Sequence, residues 1–316
     1  MTLNGANDNA KLEDLSSKTY KDQAIWTLNG YWNTWGEKEA EKLYDYVRIC
    51  GDLDAENHAN GCKLDEMMAH RFLELIKSTM TVREMRDGLR SVGIENARYV
   101  PLVNFLIFNY KIDWHKLVHA SQGDNQEEVE KAQQMLKEVT IAFQQVQKTA
   151  SESAKAEIDA VNAENAARRA KQELEEALAE LKAQEDAYNN KKADLEKKSE
   201  EGGVVSRNKA KAELAQHLAE DPLPLRRAKI TTEAAVKKAE RTAAEAAVAV
   251  EAARVARVAA EAAVDEASKQ VAAAEAYLQE VKSKPGSAAG ALWWIDRELH
   301  EQKKYLPTSR GGIAKK

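Results

Sequence analysis

Two constellations in the sequence have the residue types for chemistry. His115 and His119 stand four apart, so on a helix they share one face, the arrangement in which paired imidazoles bind zinc. Neither a glutamate at the second position nor a third ligand accompanies them, so two partly exposed histidines beside Trp114 are the simpler reading. Asp52, Asp54 and Glu56 set oxygen ligands at alternate positions, as a calcium loop does, and Gly61 and Leu64 stand where such a loop turns and anchors. With Leu64 as the anchor, the bidentate glutamate position falls on Met68, and extra residues precede the glycine. The segment is either a degenerate calcium site at Asp52, Asp54 and Glu56 or a structural loop. A second loop, Gly93–Asn104, puts Arg98 where glycine belongs and Asn104 in the bidentate position, which removes the basis for tight calcium binding. No Gly-rich phosphate loop, paired-cysteine motif or nucleophile with its base is present. The expectation is a protein that is not an enzyme and has no cofactor beyond possible Ca2+.

These candidates need elements to hold them. Residues 1–18 are polar and aperiodic and read as a disordered leader. An EF-hand-like helical domain with degenerate loops is expected over 19–120. Tyr20–Trp35, Glu37–Cys50, Leu64–Lys77 and Leu102–Lys111 carry helical patterns, and Thr81 with Glu84 is a capping box. Helix, loop, helix, helix, loop, helix is the layout of a paired EF-hand.

From residue 126 the pattern changes to three-and-four spacing: Val129, Ala132, Leu136, Val139, Phe143, Val146. The register then slips as a stammer and resumes at Ala167, Ala170, Leu174, Ala177, Leu181; Glu157 and Glu164 sit on the seam between the runs. Gly202-Gly203 ends this arm, and Asp221-Pro222 opens another that stops at Pro285-Gly286. Its seam reads Val236, Ala239, Ala243, Ala246, Val250, Ala253, Arg257, Ala260, Val264, Ala267, Val271, Ala274, Leu278, Val281, with Val248, Val255 and Val258 off it. An antiparallel coiled-coil hairpin over 125–283 with its tip at 199–224 follows; a parallel dimer through the same seams is the alternative. At about 1.5 Å per residue the arms make a rod on the order of 90–110 Å long. The fold class is all-α, and a rod of this kind suits a cytoskeletal linker or scaffold.

Composition agrees. In 316 residues, 31% are charged and only 6% aromatic, too little bulk for two globular cores. A net charge of -5 gives no chain-wide attraction to nucleic acid or to an anionic membrane, so neither is an expected partner. Two cysteines, Cys50 and Cys62, and no long apolar run place the chain in the cytoplasm. Charge is local instead. Arg226, Arg227, Lys229, Lys237, Lys238 and Arg241 face only Asp221, Glu233 and Glu240 in their segment, and the tail after Glu301 is purely basic. Such clusters either grip an acidic filament or form a solvated face. Trp293-Trp294, adjacent in a chain poor in aromatics, must bury against the N-terminal domain or a partner.

The closing segment Ser287-Ala-Ala-Gly-Ala-Leu-Trp-Trp-Ile-Asp-Arg-Glu-Leu299 with Lys303-Lys304 resembles the terminal Ala-Gly-Ala-aliphatic-Trp-Trp signature of the calcium-regulated actin-bundling proteins of protists. Leu28-Asn-Gly-Tyr-Trp32, Phe105-Leu-Ile-Phe-Asn-Tyr-Lys111, Leu214-Ala-Gln216, Pro222-Leu223 and Glu233-Ala-Ala-Val236 are similar to that family in collinear order. The resemblance implies an actin-filament-binding and bundling protein of the cytoskeleton, with Trp293, Trp294 and Leu299 docking a 286–316 tail and the 226–241 cations contacting actin. Two departures stand against plain transfer. The loop before Phe105 lacks the family's acidic calcium ligands, and the arms are about 80 residues longer. A scaffold on another lattice, such as flagellar microtubules, remains the alternative, and the chain acts as a monomer or homodimer.

Overall fold

The computed structural model describes residues 2–78, 80–94 and 99–313. Helices dominate, as the all-α expectation holds, and the residues divide into two compact units: Met1–Gln144 with Val264–Lys316, and Gln145–Ala263.

In the first unit, helix α1 (Asp8–Ser17) replaces the expected disordered leader. Asn7 caps it by accepting the Ala10 N–H, and Leu12 and Leu15 are buried. Two apolar residues three apart were enough to seat one turn, a signal hidden by the polar residues around them. Helix α2 (Tyr20–Tyr31) is capped by Thr19 and buries Tyr20, Ala24, Trp26 and Leu28. It passes through a π-helical turn, Trp32–Gly36, into α3 (Glu37–Leu53). Trp35, carried on that turn, stacks on Tyr110 with centroids 4.1 Å apart.

Strand β1 (Lys63–Asp65) pairs antiparallel with β2 (Tyr99–Pro101), setting buried Leu64 against buried Val100. This ribbon ties together the two loops of the hand-like layout. Helices α4 (Glu66–Leu75), α5 (Val82–Ser91) and α6 (Leu102–Asn109) pack around it through Phe72, Met85, Leu89 and Phe105. The Thr81–Glu84 capping box forms as its sequence requires. Asp113 caps the short α7 (Trp114–Leu117). Helix α8 (Gln126–Glu200) and helix α10 (Leu223–Lys282) contribute Val129, Leu136, Val139 and Phe143 and Val271, Leu278 and Val281 to this unit's core. Helix α11 (Ala289–Lys303) completes it.

The second unit contains the remainder of α8 and α10 and a helix α9 (Val204–Ala219) between them. Here the arms run antiparallel: Thr232 Oγ1 donates to the Ala177 carbonyl at 3.1 Å, and Lys238 Nζ lies 2.6 Å from Glu173. A side chain reaching its neighbour's backbone requires close helices, and the seam is built for that. On α8 the inward positions are Thr149, Ser153, Ala160 and Ala170, which puts the slip between Val146 and Thr149 and leaves Glu157 and Glu164 exposed. On α10 they are Thr232, Ala239, Thr242, Ala246, Ala249, Ala253 and Ala256.

The expected α10 seam is therefore corrected. Alternate positions move by one residue, from Ala243, Val250 and Arg257 to Thr242, Ala249 and Ala256; Val250 is exposed, and Arg257 points outward to Glu261. Three-and-four spacing alone places Ala243, Val250 and Arg257 inward, because alanine satisfies every phase of this helix. Close helix approach selects small residues instead.

Candidate functional site

Helix α11 lies on α2 and α3, where two sequence motifs far apart in the chain meet. Asn29 Oδ1 accepts the Ala291 N–H at 2.9 Å. A Cβ on Gly290 would stand 2.6 Å from the Leu28 Cβ, so only glycine admits this approach. Trp294 and Leu299 are almost wholly buried, as are Leu292 and Ile295, while Trp293 stays at the boundary. Tyr44 is the receptor: it packs against both indoles, and the Arg297 guanidinium lies 4.7 Å over its ring. Ion pairs ring this contact. Lys21 bridges to Glu298 at 2.7 Å, Arg297 to Glu41 at 2.9 Å, Lys282 to Asp296 at 2.7 Å and Lys303 to Glu275 at 2.6 Å. Beyond it Arg310 pairs with Asp265 at 2.7 Å, so part of the basic tail is engaged within the chain. Lys315 and Lys316 lie outside the described residues.

The six cations of 226–241 are all exposed on α10. Three are engaged: Arg226 with Asp221 at 3.0 Å, Lys238 with Glu173, and Arg241 with Glu245 at 3.6 Å. Arg227, Lys229 and Lys237 make no ion pair among the described residues. The antiparallel register set by Thr232–Ala177 and Lys238–Glu173 brings Arg168, Arg169 and Lys171 of α8 to the level of Lys237, Lys238 and Arg241. These three are likewise exposed and outside any ion pair among the described residues. The result is six exposed cations at one level of the two arms, interleaved with Glu164, Glu173, Glu175, Glu176 and Glu240. The sequence concealed its α8 half, because the two runs are some 70 positions apart and only the register joins them.

The calcium candidates are not brought together. Asp52 lies inside the last turn of α3. Asp54 is committed twice, accepting the Asn57 N–H at 3.0 Å and the Tyr20 hydroxyl at 3.0 Å, and Glu56 is exposed. Burial, with the Asp54 carboxylate second, holds the Tyr20 hydroxyl above its ordinary range, so that bond keeps its proton. Among the described residues no three His, Cys, Asp or Glu side chains are arranged to hold a metal ion. In the second loop, Glu95, Ala97 and Arg98 fall outside the described residues, and Asn104 is buried in α6.

His115 and His119 do find a third partner, but as a clasp. Asp8 Oδ2 lies 2.7 Å from His115 Nδ1 and its Oδ1 2.8 Å from His119 Nε2, so one carboxylate at the start of α1 bridges both rings. Hydrogen bonds from the two histidines hold the Asp8 carboxyl below the usual carboxylate range.

Residues 121–283 match the family described as F-actin bundling C terminal, more than half of the chain, and the chain belongs to that family. It is an actin-filament-binding and bundling protein. Among solved structures it is similar to the 34 kDa F-actin bundling protein from Dictyostelium discoideum, with 19% identity and a TM-score of 0.47 over 96% of this chain and 99% of that one. No curated protein matches the chain. No helix among the described residues is long and apolar enough to cross a membrane.

Proposed function

We propose that this two-armed level of six cations, the belt, is the filament contact, with Arg168, Arg169, Lys171 and Lys237 supplying free charge and Lys238 and Arg241 completing the set. The single observation behind this reading is the coincidence in level of two cation runs from opposite arms, most of which lack an acidic partner. Unpaired surface cations stay available to an acidic filament, whereas a cation already paired must exchange one partner for another. The tail clasp then serves the fold: it fixes α11 to α2 and α3 and leaves the belt to recognise actin. The protein works in the cytoplasm without a cofactor, its calcium loop having become a structural turn capped by Tyr20.

High-speed co-sedimentation with filamentous actin tests the belt. Charge reversal at Arg168, Arg169 and Lys237 is expected to abolish pelleting at moderate salt, while reversal at Arg226, already paired with Asp221, leaves it near the unaltered level. Equal loss in both variants would remove the belt as the contact.

A further inference from the structure

We draw no further inference here: the strongest candidate, the open cavity between α5, α6 and α7 floored by Leu89, Ile107 and Trp114, is an apolar hollow rimmed by Lys111 and Asp113 for which nothing in the structure shows what covers it.

Discussion

Asn29 and Ala291 are joined by one hydrogen bond, the Ala291 N–H donating to Asn29 Oδ1 at 2.9 Å, and through it the start of the chain holds the end. Gly290 makes the approach possible. Gly290→Val is therefore expected to dislodge α11 and cost about 1–3 kcal/mol by overpacking. Trp294→Ala should cost about 3–5 kcal/mol, and Trp293→Ala distinctly less because its ring is only partly covered. Urea denaturation of the three variants checks the order.

The corrected α10 seam makes a sharper demand. Ala249→Leu forces bulk between closely spaced arms and should lower stability by about 1–3 kcal/mol. Val250→Leu, one position on, faces solvent and should change it by less than about 0.5 kcal/mol. Thermal melts that show the opposite order would restore the seam expected from the sequence.

Thr232 tests the helix approach itself. Its hydroxyl serves the Ala177 carbonyl on the other arm and the Ala228 carbonyl on its own. Thr232→Val keeps the shape and deletes both bonds, for an expected loss of about 1 kcal/mol.

The Asp8 clasp sets a pH dependence with a definite sign. A carboxylate whose folded pKa is depressed adds stability that is present above its ordinary value and lost as pH falls through the lowered one. Exchange protection of the α1 amides, corrected for intrinsic rate, should hold through neutral pH and fall below about pH 4. In Asp8→Asn the protection should be lower at neutral pH and no longer depend on this titration.

The first loop predicts indifference to calcium. With Asp54 engaged by Tyr20 and Asn57, millimolar CaCl2 and EGTA should give the same melting temperature. A calcium-dependent rise would mean that Asp54 exchanges its partners for the ion.

Much of this was legible in the sequence, for identifiable reasons. Long alanine-rich periodicity forces paired helices, Gly202-Gly203 and Asp221-Pro222 mark their ends, and adjacent tryptophans demand a receptor. The family resemblance rested on motifs that turn out to touch, Leu28-Asn-Gly and Ala-Gly-Ala-Leu-Trp-Trp, as residues in mutual contact constrain one another. What escaped was whatever depends on register. The phase of α10 could not be chosen while alanine satisfied every phase, and Arg168, Arg169 and Lys171 acquire neighbours only once the arms are aligned. Leu12 and Leu15 were too few to mark α1 without the surface that buries them.

The alanine seam of the second unit also has a bearing on how such arms change length. Interlocking bulky side chains fix one alignment, but a groove of near-identical small residues looks alike after each seven-residue step. In the second unit Thr232 and the Lys238–Glu173 pair mark one alignment along a seam of alanine, serine and threonine. Matched heptads can thus be inserted into or deleted from the two arms without redesigning either neighbour. The number of heptads in the two arms is then free to change while the packing of α11 on α2 and α3 stays as it is.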